Sequence, residues 1–176
     1  MADRLQGEGF VLRRWRADDM ESLVRHANDE QVSRGVSDRF PFPYTAADGE
    51  KFLSGGVVDL DDPVFAIERN GEACGGIGAR AGTGERARAA EMGYWLGRAH
   101  WGQGLMTRIV GVFTPWVMDE LRLFRLQATV LDFNTGSARV LQKNGFEEEG
   151  VQRAAVVKHG VQHDLRLFAR VVPSTG

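Results

Sequence analysis

Residues Gly93–Thr107 read GYWLGRAHWGQGLMT, and their reading decides the fold. An aromatic, extended-looking segment over 91–96 is followed within a few residues by Gly102 and Gly104. From Gly104 onward, Leu105, Ile109, Val112, Phe113, Trp116 and Val117 keep helical spacing with the apolar members on one side. Strand, glycine loop and helix are therefore expected in that order. Glycines at 102 and 104 let backbone N–H groups approach a ligand without side-chain interference. The amides and positive dipole end of the following helix favour an anion there. A diphosphate is the natural guest, although a plain strand-to-helix turn also accounts for two glycines. The loop lacks a Lys–Ser/Thr pair at P-loop spacing, so magnesium-dependent nucleoside triphosphate hydrolysis is not indicated.

Upstream, residues 8–15 (EGFVLRRW) have the β-rich content of a first strand. Asp18 is placed to cap a helix, with Glu21 three residues on and Met20, Leu23, Val24 and Ala27 forming its apolar face. From Asn28 to Tyr44 periodicity is lost and the segment ends in PFPY, which predicts a long loop of the kind that lines sites. Tyr44 reads as a packing lid, or as a border of an acceptor site. Thr45 and Asp48 announce another helix. Residues 64–69 and 72–78 flank Asn70-Gly71, the signature of a type I′ hairpin turn. Gly75, Gly76 and Gly78 lack dinucleotide-loop spacing and read as strand bulging or close packing.

Downstream, Pro115 predicts a kink near Gly111 or an early helix end. Phe124–Val130 alternates as a strand. Asn134-Thr135-Gly136-Ser137 can cap a short helix that stops before Gly145, and two strands, 151–158 and 161–172, close the chain around His159-Gly160. The order is that of an α/β (α+β) sheet with helices packed on it.

The length of 176 residues, 43% apolar and 26% charged, suits a single domain that buries roughly 70% of its unfolded surface. A net charge of −2 with scattered Lys and Arg supplies no field for nucleic acid. Cys74 is the sole cysteine and has no internal disulfide partner, so it reads as buried structural cysteine. The histidines at 26, 100, 159 and 163 form no metal pattern, and no metal is expected. Without a signal-peptide core or an apolar run of about 18 residues, the expected address is the cytoplasm, with no membrane partner.

Trp101-Gly102-Gln103-Gly104-Leu105-Met106 resembles the acetyl-CoA pyrophosphate loop of the GNAT acyltransferase family, with Gly104 as its central glycine and Trp101 and Met106 departing at the outer places. Asn134-Thr135-Gly136-Ser137-Ala138-Arg139-Val140-Leu141-Gln142-Lys143-Asn144-Gly145-Phe146, 30 positions on, resembles the N-x-x-S-x-x-V-L-x-K-x-G-F segment of its ribosomal-protein N-terminal (alanine/serine) acetyltransferase branch. The resemblance implies one GNAT domain over 1–176, with a mixed, mostly antiparallel sheet and splayed middle strands flanked by helices.

It further implies that the backbone of Trp95 and Leu96 pairs with pantetheine, that Gly102, Gln103, Gly104, Leu105, Met106 and Thr107 hold the pyrophosphate, and that Asn134 reaches the pantetheine amides. Asn134 also reads as a plain helix cap. Ser137 resembles the branch's general acid, beside the alternative of a local backbone partner. Glu91 is a candidate base, directly or through water, or else a solvated carboxylate. The implied activity is direct acetyl transfer from acetyl-CoA to a primary amine, a protein or peptide N-terminus, by a monomer or homodimer. The rivals are acetylation of a small amine (amino acid, polyamine or antibiotic), a non-catalytic acyl-CoA-binding module, and a nucleotide-binding protein.

Overall fold

The computed structural model describes residues 1–173; the end of the expected domain, 174–176, lies outside the described residues. Contacts divide the chain into two compact units, one of residues 1–78 and 93–108, the other of 79–92 and 109 onward.

The first unit begins with a hairpin rather than the single strand expected over 8–15. β1 (Arg4–Gly7) and β2 (Phe10–Arg14) pair antiparallel from Arg4↔Arg13 to Gly7↔Phe10, and Gly9 turns the chain at φ 81°. Glu8-Gly9 is a turn, which ends the apolar run at both sides. A single 3₁₀ turn, Ala17–Asp19, then leads into α1 (Met20–Ala27). The side-chain cap expected at Asp18 is not made: the residue at the N-cap of α1 is Asp19, and its carboxylate bonds no α1 amide but accepts the Arg16 N–H at 2.8 Å and two hydrogen bonds from the Arg13 guanidinium, also at 2.8 Å. Arg13 and Asp19 are 4% and 5% exposed, and Arg13 also pairs with Glu68. Burial pushes the Asp19 carboxyl up, but the bonds from Arg13 and Arg16 outweigh it and hold it below the usual carboxylate range.

The expected loop over 28–44 carries one short helix, α2 (Glu30–Arg34), capped by the Asp29 carboxylate, and its far end holds a cis Phe42–Pro43 bond. Asn28 Oδ1 accepts the Tyr44 N–H at 3.0 Å, which draws the two ends of the segment together. α3 (Ala46–Leu53) starts at the Thr45/Asp48 capping box read from the sequence. Tyr44 is a packing residue: with Leu23 and Ala27 of α1 it forms a buried cluster onto which Trp15, Phe40, Phe52 and Trp95 pack. β3 (Val64–Arg69) and β4 (Glu72–Ala81) form the expected hairpin, with Asn70 at φ 52° and Gly71 at φ 79° as a type I′ turn requires.

Strand β5 (Ala89–Leu96) and helix α4 (Leu105–Glu120) each pass from one unit to the other. α4 does not stop early at Pro115. Losing one hydrogen bond and crowding the carbonyl four residues back cost about 3 kcal/mol. Ile109, Val110, Phe113 and Val117 are fully buried, and each contributes about 1.5–3 kcal/mol, so burial wins.

In the second unit, β6 (Arg125–Leu131) runs antiparallel to β8 (Val161–Val171) along its whole length, from Arg125↔Val171 to Leu131↔Leu165. Its parallel register with β5 covers only Ala89–Glu91 against Arg125–Gln127. α5 (Thr135–Lys143) follows β6, and β7 (Glu147–Lys158) pairs with β8 around His159 and Gly160, both at positive φ. The sheet is eight-stranded in the order β1-β2-β3-β4-β5-β6-β8-β7 and mostly antiparallel. No helix among the described residues is long and apolar enough to cross a membrane.

Candidate active site

The first unit holds the glycine loop. An added Cβ at Gly75 would lie 2.5 Å from the Trp95 carbonyl oxygen, and one at Gly76 would lie 2.8 Å from the Trp95 indole nitrogen, so these glycines exist for close strand packing. The Trp95 ring belongs to the core, edge-on to Phe40 at 5.0 Å. Leu96 is buried, and the Gly97 N–H donates to the Cys74 carbonyl at 2.7 Å. Burial pushes the Cys74 thiol up to about 12, which keeps it protonated and inert.

After a 3₁₀ turn at Arg98–His100, the Trp101 indole N–H donates to the Leu96 carbonyl at 2.8 Å and ties the loop back to the strand end. Gly102 and Gly104 sit at φ 73° and 68°, and nothing lies within 4 Å of a Cβ placed on Gly102. Leu105 then begins α4 with a fully buried side chain, so Leu105 can serve an anion only through its backbone amide, at the start of the first turn that Met106 and Thr107 continue.

Gln103 is committed within the protein. Arg69 Nη1 donates to its Oε1 at 2.7 Å, its Nε2 donates to the Ala99 carbonyl at 3.5 Å, and Arg108 Nη1 donates to its carbonyl at 3.2 Å. Arg108 Nε also reaches the Glu8 carbonyl at 3.3 Å, which fastens the loop to the β1–β2 turn. Arg69 Nη1 stands 3.4 Å from His100 Nδ1. Burial, with His26 and Arg69 nearby, holds the His100 imidazole below its ordinary value, so Nδ1 is the acceptor. Two guanidiniums thus flank an open, glycine-built cradle, a donor set that fits a diphosphate. Arg69 carries no sequence signal because its target lies 34 positions away, and Arg108 carries none because it reaches main-chain carbonyls, those of Gln103 and Glu8, which no residue type marks.

The segment 28–44 borders an open cleft of about 450 Å³, lined by Asp29, Glu30, Gln31, Phe42, Pro43 and Arg98 among others. Arg98 Nε pairs with Asp29 Oδ2 at 2.9 Å across it.

The second unit holds the remaining candidates. Asn134 Oδ1 accepts the Ser137 N–H at 3.2 Å, so Asn134 is the α5 cap that the sequence also allowed, and its amide nitrogen is left out of that bond. Ser137 is half-buried on the first turn of α5. Glu91 is exposed on β5, opposite Gln127. The loop residues thus gather with Trp95 and Leu96 in one unit, and Glu91, Asn134 and Ser137 belong to the other. Among the described residues, no group of three His, Cys, Asp or Glu is placed to hold a metal ion.

Residues 10–147 match the acetyltransferase (GNAT) domain family. The chain is 41% identical over 86 residues to a Bacillus subtilis (strain 168) protein named "Probable N-acetyltransferase YjcK", covering 49% of this chain and 48% of that one. It is 33% identical over 89 residues, 49% of each chain, to the ribosomal-protein-serine acetyltransferase of Escherichia coli (strain K12). The matched stretch thus spans about half the length of these curated relatives. Among solved structures, it resembles the RimL ribosomal α-N-protein acetyltransferase in complex with coenzyme A, with a TM-score of 0.86, 20% identity, and coverage of 96% of this chain and 98% of that one. The chain belongs to the GNAT acetyltransferase family.

Proposed function

From this family membership and the loop geometry, we propose that the protein is an acetyl-CoA-dependent N-acetyltransferase that acts on a primary amine, namely a protein or peptide N-terminal α-amine, by direct transfer in a ternary complex. The observation that carries the reading is the loop 101–104, with glycines at positive φ opening into the first turn of α4 between Arg69 and Arg108. The amides of Gly102, Gln103, Gly104, Leu105, Met106 and Thr107 bind the pyrophosphate there. The Gln103 side chain serves by holding the loop, since Arg69 already claims it. The backbone of Trp95 and Leu96 and the Asn134 amide nitrogen take the pantetheine arm.

Ser137 protonates the departing thiolate, and Glu91 is the carboxylate that receives the surplus proton through water. An α-amine with a pKa of about 8 is partly neutral at physiological pH, so mild base catalysis suffices, whereas a lysine amine at about 10.4 needs more. The acceptor reading draws support from the relatives named for ribosomal proteins and from the cleft along 28–44, which is open rather than closed around a metabolite. We place the chain in the cytoplasm as one GNAT domain.

The test is thiol release from acetyl-CoA against a panel of N-terminal peptides and small amines. Turnover with peptides is the expected result. Turnover with small amines alone would replace the acceptor by a metabolite, and coenzyme A binding without release on any acceptor would replace the enzyme by a binding module.

A further inference from the structure

The loop between β6 and α5 meets β8 at a histidine–carboxylate pair that lies outside the proposed chemistry. Asp132 follows β6, and a tight turn then delivers α5: the Asn134 N–H donates to the Leu131 carbonyl at 2.9 Å and the Thr135 N–H to the Phe133 carbonyl at 3.0 Å. Asp132 Oδ1 lies 2.9 Å from His163 Nδ1, and its Oδ2 accepts the Asp164 N–H at 3.0 Å. The Asp132 N–H in turn donates to the Asp164 carbonyl at 3.1 Å. The Asp164 N–H first, and His163 after it, hold the Asp132 carboxyl below the usual range, so it is ionised and acts only as an acceptor.

His163 Nδ1 therefore carries the proton, and in the neutral ring Nε2 is the basic nitrogen. No hydrogen bond to Nε2 is found among the described residues. The ring is also held in plane. Phe133 meets it edge-on at 4.9 Å, and Asp164 Oδ1 accepts the Ala154 N–H at 2.7 Å, which pins the β7 bulge where Ala154 takes φ 54°. The charged groups beside the imidazole are Asp132 from the turn and Asp164 next to it on β8; from β7 its register partner is the apolar Val156. The imidazole side chain is 20% exposed, so the ring is sheltered without being sealed off.

We propose that His163, oriented by Asp132, is the proton acceptor for the attacking amine. Resting on the acetyl-transfer reading, the step runs as follows. The amine nitrogen forms a bond to the thioester carbonyl carbon and the C–S bond breaks. One N–H proton passes first to His163 Nε2, and the sulfur leaves with the Ser137 hydroxyl proton; water then carries the proton from His163 on to Glu91, and solvent takes it from Glu91 and restores the one on Ser137. Asp132 is a positioning residue, which keeps Nδ1 protonated and stabilises the imidazolium. A merely structural fastening of β8 to the β6–α5 turn would need only a donor at 163, and an amide supplies that.

The experiment is steady-state kinetics of the full chain, with an acceptor the parent uses, from about pH 5.5 to 9, for the parent, His163→Asn, His163→Gln, Asp132→Asn and Glu91→Gln. Both His163 variants keep a donor toward Asp132 and lose the base. Their kcat falls about 100-fold, and KM for acetyl-CoA stays within about twofold because the loop 101–107 is untouched. The pH profile of both His163 variants keeps the limb set by the acceptor amine and lacks one other limb that the parent shows. Asp132→Asn gives a smaller loss and shifts that limb. Folded His163 variants with the parent's kcat and pH profile would overturn the proposal, as would disappearance of that limb in Glu91→Gln alone. A parent that turns over no acceptor would overturn the acetyl-transfer reading itself.

Discussion

Replacing Gly104 by valine tests the placement of the pyrophosphate. Gly104 sits at φ 68°, where a β-branched residue costs about 1–3 kcal/mol. Crowding adds nothing, because an added Cβ would lie 3.7 Å from Arg108 Nη1 in ordinary van der Waals contact. The whole cost is in the backbone. Since residues 101–104 are exposed, the strain is relieved locally by turning the peptide over, which swings the Leu105 amide out of the cradle.

A strain of about 2 kcal/mol corresponds to about 30-fold in affinity at 1.4 kcal/mol per decade, so coenzyme A binding weakens by roughly that factor in calorimetric titration at fixed salt. The unfolding free energy, read by urea denaturation of the same samples, falls by no more than about the same 1–3 kcal/mol. Gly104→Ala pays only about 1 kcal/mol and loses about fivefold, which keeps the test alive if the valine variant folds poorly. A folded Gly104→Val protein that binds coenzyme A within twofold of the parent would refute the assignment of this loop to the pyrophosphate.

Asp19→Asn tests the buried Arg13–Asp19–Glu68 network. Removing one charge from a nearly inaccessible pair costs about 3 kcal/mol of unfolding free energy in urea, and a loss under about 1 kcal/mol would show that the pair is dispensable. Because the folded-state Asp19 carboxyl is depressed, its contribution is present above the unfolded carboxylate value and is lost as pH falls through the folded one. The gap between parent and variant should therefore narrow only as the pH falls below the unfolded carboxylate value. Cys74, with its thiol pushed up to about 12 by burial, should resist iodoacetamide at pH 8 in the native protein and react once the protein is unfolded. Rapid native labelling, read by mass spectrometry, would contradict its buried role.

What the sequence made legible is what lies within about four residues of itself. Asn70-Gly71 announces its turn because both residues must adopt positive φ, Thr45 and Asp48 reach each other's amides across one helical turn, and Asn134 caps α5 through Ser137 by the same local reach. The misplaced cap at Asp18 marks the boundary of that legibility. The N-cap position falls to Asp19, whose carboxylate caps nothing because Arg13, from the preceding strand, is buried beside it and claims it. Pro115 shows the same limit from the other side, since a local helix breaker yields to buried side chains that the local pattern does not weigh.

At the site the separation is wider still. Trp101 departs from the family's loop pattern, yet its indole performs a closure onto Leu96 that no pattern of residue types encodes. Gln103 reads as a cofactor ligand until Arg69, 34 positions earlier, claims its side chain. His163 reads as a solvated turn residue until Asp132, 31 positions earlier, fixes its tautomer. Residue type alone is equally consistent with an idle histidine and a base, because the difference is made by the partner at Nδ1 and, among the described residues, by the absence of one at Nε2, both set only when β8 folds against β6. The candidate chemistry is therefore written mainly in strand register, and a one-residue slip of β8 on β6 would send His163 to the other face and erase the pair without changing a single residue.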